Sequence, residues 1–356
     1  MNDAVIFPAR KGLRIDGGLE PRRFLFEAYS RDGEGPESSR LLNEIVIEGE
    51  KWFHFITDLD LKGIRDFLFM KSGYSEKHAG YLSSRLIDRL VSDATKPGIM
   101  GIVNVTPDSF YPGSRMQGKP MSGIDAILDQ KPDVIDIGGE STRPGSKKLD
   151  AEAEIDRIRP VLDYVSSSSD IPVSLDTRNP ETAEFALSYG IKYLNDVTGF
   201  ENPEMIRIAS ENNLDSIVMH MRGEPENMQK LTEYGDLLFE ISLFLQRRTK
   251  RMIEGGIHPS RIIVDPGIGF AKNMSGNLDI IRNVESLNRG FRVLVGASRK
   301  TFIGRITGEP VEKRLSGTLA TSIYLMNGKC DIIRVHDVRE NREAIDVYRA
   351  IENGLP

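Results

Sequence analysis

Acids, amides and cations recur in this sequence at the downstream ends of short apolar runs. "GIVNVTPDSF" changes character at Asn104, and "VIDIGGESTRPGS" carries Thr142, Arg143 and Pro144 beyond its run. "IPVSLD", "IKYLND" and "IIVDPG" bring Asp176, Asn195 with Asp196, and Asp265. Further positions of the same kind are His220 in "SIVMHM", Lys300 in "VLVGASRK", and Arg334 and His336 in "IIRVHD". By chemistry the set divides in two. Asp176, Asn195 and Asp265 offer acceptors and an amide to a flat heterocycle rich in N–H donors, while Lys300, Arg334, His336, Thr142 and Arg143 suit an anion. A carboxylate buried without a partner is costly, so two of them deep in a fold imply a ligand with matching donors. Cations beside the glycine-containing turn "GASRK" imply a phosphate or carboxylate. Arg334 and His336 lie two positions apart, which in a strand puts both on one face.

Taken singly, each residue has a plainer reading. Asp176 could cap the helix that has Pro180 in its first turn, Asp265 before "PGIG" could form a turn, and Asn104 and Asn195 could brace loops. His220, between two methionines, reads as packed within the fold rather than as a metal ligand. Caps and turns alone would not put an acid, amide or cation at the end of nearly every strand.

The elements that must position these groups follow from periodicity. From residue 99 onward, eight short β-branched runs alternate with amphipathic stretches such as "DAEAEIDRIRPVLDYVSS" and "LLFEISLFLQRRTKRMIEGG". That alternation predicts an α/β fold, a (β/α)8 TIM barrel of about 250 residues whose active site lies at the C-terminal strand ends. A doubly wound sheet is the competing fold, but its phosphate-binding glycine turn is missing after the first strand. Residues 1–95 predict a small α+β N-terminal module, with strands at "RRFLFEAYS", "LLNEIVIEGE" and "KWFHFITD" and two helical segments; residues 96–356 form the barrel. Phe24, Phe26, Trp52, Phe53 and Phe55 read as the module's own core, and as an appended unit its removal is expected to leave a folded barrel.

Composition narrows the function. With 356 residues, 39% of them hydrophobic, the chain can bury a large core. A net charge of −6 without Lys/Arg blocks argues against nucleic-acid and membrane-surface partners. The single cysteine, Cys330, excludes a disulfide framework and a cysteine zinc cluster and suits a reducing cytoplasm. No apolar run has the length of a membrane span, and "MNDAVIFPARKG" lacks a signal-peptide core.

The motifs "GIVNVTPDSF", "VIDIGGESTRPGS", "SLDTRNPE", "YLNDVTG", "VMHMRGEPENMQ", "VDPGIGFAKN", "LVGASRKTFIG" and "IIRVHDV", in that order, resemble the dihydropteroate synthase family. The resemblance implies a cytoplasmic, homodimeric transferase of folate biosynthesis. It would join 6-hydroxymethyl-7,8-dihydropterin diphosphate to 4-aminobenzoate with Mg2+ present, giving 7,8-dihydropteroate and pyrophosphate. By position it implies that Asp176, Asn195 and Asp265 hold the pterin edge, that Lys300 bonds the ring, and that Met219 and Phe270 line its pocket. It places Asn104, Arg334 and His336 at the diphosphate, with Asn104 also near the metal, and Thr142, Arg143, Pro144 and Ser298 at the aminobenzoate, with Gly296 among the substrate contacts. Lys300, Arg334, His336 and Asn104 are the catalytic candidates. One departure is in the first loop: family members commonly read "SFSDGG", and here "SFYPGS" puts Pro112 in place of an acid. The same chemistry on a ribosylated aminobenzene phosphate is an alternative, as is a pterin-dependent methyltransferase, which would need no diphosphate site. A non-catalytic pterin-binding protein is a third.

Overall fold

The computed structural model describes residues 4–9, 24–36, 39–47, 49–92, 95–105, 121–142, 145–146 and 148–353. Four antiparallel strands come first: β1 (Ala4–Pro8), β2 (Phe24–Ser30), β3 (Arg40–Ile47) and β4 (Glu50–Leu59), paired in the order β1-β2-β4-β3. β3 and β4 meet at the pair Ile47 and Glu50, and Gly49 between them has φ +79°, a left-handed value open to glycine. Helices α1 (Leu61–Met70) and α2 (Glu76–Val91) follow. The first starts where Asp60 Oδ1 accepts from Gly63 N at 2.8 Å, and Ser75 caps the second in the same way.

Every one of the eight expected runs is a strand of a closed parallel barrel. In chain order the elements are β5 (Gly98–Asn104), α3 (Ser122–Leu128), β6 (Val134–Gly138), α4 (Ala151–Ser168), β7 (Val173–Asp176), α5 (Pro180–Leu187), β8 (Tyr193–Asp196), α6 (Pro203–Glu211) and β9 (Asp215–Met219). Then come α7 (Leu237–Glu254), β10 (Ile262–Asp265), α8 (Met274–Arg282), β11 (Arg292–Val295), α9 (Thr301–Thr307), α10 (Leu315–Asn327), β12 (Ile332–Val335) and α11 (Val338–Asn353). The ring closes between β12 and β5, with Arg334 opposite Met100. Strands covered on both faces need apolar residues throughout, which explains the near-continuous runs. Met100, Val134, Ile217, Ile263, Leu294 and Ile332 cluster together, while Ile99, Ile135, Ile137 and Val103 belong to a second, larger cluster that includes the helices. No helix among the described residues is long and apolar enough to cross a membrane.

The N-terminal sheet is not a free-standing module. Val5, Phe7, Tyr29, Ile47 and Trp52 form one buried cluster with Phe239 and Leu243 of α7. Trp52, expected within the module's own core, meets Phe239 edge-on at 5.0 Å, whereas Phe26 and Phe55 join the main core. The side chain of Phe24 lies outside the described set. Polar groups seal the same junction: the Arg289 guanidinium donates to Ile6 O at 3.2 Å and Ser242 O at 2.9 Å, and Gln246 Nε2 to Ala4 O at 2.7 Å. The truncation expected to leave a folded barrel would therefore uncover buried aromatic surface and strip one acceptor from a buried cation.

Candidate active site

The barrel brings the polar strand ends into one mouth. At its centre Arg334, projecting from β12, donates Nε to Asp136 Oδ2 at 2.6 Å and Nη2 to Asp176 Oδ2 at 3.0 Å. Asn195 Nδ2 reaches the same Asp136 oxygen at 3.2 Å. The other Asp136 oxygen, Oδ1, is buried without a hydrogen-bond partner. Two carboxylates thus share one guanidinium. Burial and then the charge of Asp136 push Asp176 up to about 8, against the pull of Arg334. A small residue makes room for this packing: a Cβ on Gly138 would sit 3.2 Å from Asp176 Cβ, whereas one on Gly296 would make only an ordinary contact with Arg334, at 3.8 Å.

Asp265, at the end of β10, accepts from Gly267 N at 2.7 Å, so the turn reading of this residue is met, and burial raises its pKa. Its second oxygen is not consumed by that turn. Lys300 closes this side: its ammonium lies 4.4 Å from the centroid of the Phe270 ring, and burial, then Arg334, lowers it to about 8. Phe270 leans on a cluster of Val197, Met219, Met221, Met228 and Ala271, an apolar wall beside the acids. His336 Nδ1 lies 3.1 Å from Ser298 Oγ, and the residue is exposed at the mouth. Desolvation within the mouth, then the charge of Arg334, lowers His336 to about 4, so it is neutral at pH 7.

Asn104 ends β5 opposite Gly138, one strand from the carboxylate pair, and Thr142 lies partly exposed in the β6–α4 loop. Arg143, Pro144 and the first-loop stretch that includes Pro112 lie outside the described residues. Asp196 is a loop former, since its carboxylate accepts from Thr198 N, Thr198 Oγ1 and Phe200 N. His220 is buried, with Nδ1 2.9 Å from Lys272 Nζ, in keeping with the packed reading. Among the described residues no group of three or more His, Cys, Asp or Glu is placed to hold a metal ion.

Sequence reasoning missed three residues. Asp136 is the acid at the centre of the mouth, and its signal was visible as a charge inside the run "VIDIG". Arg178 ties Glu140 of the β6–α4 loop, at 2.7 Å, to Glu224 of the β9–α7 loop. Buried Lys272 joins the β10–α8 loop to the end of β9 through His220, whose Nδ1 lies 2.9 Å from its Nζ, and donates to Phe270 O of its own loop at 2.8 Å; burial holds its pKa well below the ordinary lysine value. The last two are legible only in three dimensions.

Residues 100–336 match the model of the family described as "Pterin binding enzyme". A dihydropteroate synthase of Synechocystis is 40% identical over 259 residues, spanning 71% of this chain and 89% of its own. The Escherichia coli dihydropteroate synthase is 35% identical over 265 residues, 72% of this chain and 93% of its own. The crystal structure of the Xanthomonas albilineans dihydropteroate synthase with 4-aminobenzoic acid superposes with a TM-score of 0.68 at 32% identity, covering 74% of this chain and 95% of that one.

Proposed function

The chain belongs to the dihydropteroate synthase family of pterin-binding transferases, and we infer that it condenses 6-hydroxymethyl-7,8-dihydropterin diphosphate with 4-aminobenzoate. The observation that carries the reading is the unbalanced mouth, where Asp136, Asp176 and Asp265 converge on Arg334 and Lys300 beside the Phe270 wall. A pterin edge presents several N–H donors and a flat face, which answers both the surplus of acceptors and the apolar wall.

In this reading Asp176, Asn195 and Asp265 fix the pterin edge and Lys300 bonds the ring. The methylene carbon–oxygen bond breaks and its electron pair leaves on the diphosphate. Arg334 then meets developing negative charge, and neutral His336 contributes a hydrogen bond in place of a charge. The arylamine nitrogen forms the new C–N bond and afterwards loses its proton to water or diphosphate. A neutral arylamine is already nucleophilic, so no strong base is required. Ser298, held by His336, stands with Thr142 on the aminobenzoate side. Asn104 offers a hard amide oxygen of the kind Mg2+ accepts alongside substrate phosphates, so the residues fit a metal that arrives with the diphosphate. When bound, Mg2+ would neutralise leaving-group charge.

Assembly as a homodimer and a cytoplasmic location complete the proposal. The first is supported by exposed Ile306, Val311, Tyr324, Val347 and Ile351, grouped on α9 to α11 and the turn between them. The second is supported by the single, buried, unpaired cysteine. The deciding experiment supplies the pterin diphosphate with 4-aminobenzoate and, separately, with its ribosylated phosphate analogue, and identifies the product by mass. Dihydropteroate from the first is expected; product from the second alone would move the assignment to the ribosylated nucleophile.

A further inference from the structure

We propose that the N-terminal sheet is a positioning element for the active site, acting through Tyr29 on the β9–α7 loop. The family match begins at residue 100, and the relatives described above cover 71% to 74% of the chain, so the sheet's role is argued from the geometry. The loop, residues 220–236, touches three other loops of the mouth. Pro225 O accepts from Gly145 N at 2.9 Å, which pins the β6–α4 loop. Gln229 Nε2 donates to Gly269 O at 3.0 Å and Tyr234 OH to Ala271 O at 2.9 Å, which hold the segment carrying Phe270. Glu224 pairs with Arg178, adding the β7–α5 loop. A shift of this one loop would therefore move both the pterin wall and the root of the aminobenzoate loop.

The sheet grips the loop at its downstream end. Tyr29 OH donates to Asp236 Oδ2 at 3.0 Å, while Asp236 Oδ1 accepts from Phe239 N at 3.1 Å and so caps α7. The Tyr29 ring is stacked between His54 at 4.2 Å and Phe239 at 4.1 Å. His54 in turn lies 2.8 Å from both Glu27 Oε2 and Asn43 Oδ1, so the ring that backs the tyrosine is fixed across three strands. Beside this contact, Ile47 at the end of β3 packs so tightly on Gly235 that a Cβ there would come within 2.7 Å of Ile47 Cδ1. A bond and a steric stop thus hold the same two loop residues. Lost packing and one lost hydrogen bond both lower the free energy needed to open a loop locally.

The proposal rests on the synthase reading only for its kinetic half, so two readouts are taken on the full chain carrying Tyr29→Phe, which keeps the stacked ring and removes the hydroxyl. The first is amide hydrogen exchange. Protection is expected to fall about tenfold along 222–236 and also at Gly145 and Phe270, with the barrel strands unchanged. The second is kinetic: KM for the pterin diphosphate is expected to rise severalfold at nearly constant kcat. Asp236→Asn, which keeps a capping oxygen and a partner for Tyr29, is expected to retain wild-type values in both. Exchange confined to β2, β4 and the first turn of α7, with Gly145 and Phe270 as protected as in wild type, would overturn the inference. If wild-type protein yields no product with any arylamine, the synthase reading fails while the exchange result still decides this one.

Discussion

Two buried polar regions of the molecule look alike in composition and differ in closure. At the junction between sheet and barrel, the charged groups are finished: Arg289 is taken up by Ile6 O and Ser242 O, and Glu27 by His54. In the barrel mouth, two carboxylates divide one guanidinium, an Asp136 oxygen is left alone, and Asp176 and Lys300 are both displaced toward about 8 from opposite directions. Buried charge that is fully hydrogen-bonded holds elements together, whereas buried charge left open awaits a partner. The distinction separates structural from binding residues without reference to residue type.

The largest effect should come from breaking the closed region. Deleting residues 1–95 is expected to give insoluble or partly folded protein, read by sedimentation and near-UV circular dichroism; a soluble, cooperatively unfolding barrel would mean that the junction is dispensable. Next is Arg334→Ala, which leaves Asp136 and Asp176 buried against each other and should cost about 3 to 5 kcal/mol in urea unfolding as well as at least about a hundredfold in turnover. Lys300→Ala sharpens the contrast, because it removes a desolvated cation: turnover should fall about a hundredfold while the melting temperature holds or rises. The smallest effect is in pH. Asp176 is protonated below about 8 and offers both oxygens as acceptors to a pterin only when ionised, so analogue affinity should climb as pH approaches 8; Lys300 loses its charge above about 8, so affinity should then decline. Calorimetry across this range should lose the acidic limb in Asp176→Asn and the alkaline limb in Lys300→Arg.

The barrel was legible because its signal is local. Each strand buries both faces, so "DVIDIG" or "DIIRVH" declares itself within six residues, and the site residues follow as whatever ends the run. Asp136 escaped that rule because it lies inside its strand, pointing into the barrel rather than ending the run. The role of the N-terminal sheet was illegible for another reason. Tyr29 and Asp236 are 207 residues apart, and nothing in the alternation around Trp52 distinguishes a face that packs on its own helices from one that packs on α7.

β1 also bears on how the chain is made. Ala4 and Ile6 accept hydrogen bonds from Gln246 and Arg289, across separations of 242 and 283 residues. During synthesis the strand "AVIFP" leaves the ribosome more than two hundred residues before its anchors on the barrel side are translated. Until then an apolar edge strand stays without those partners, a hazard for self-association and a natural substrate for holding chaperones. Contacts of such long range also close slowly, so docking of the first strand is expected to be among the last events of folding.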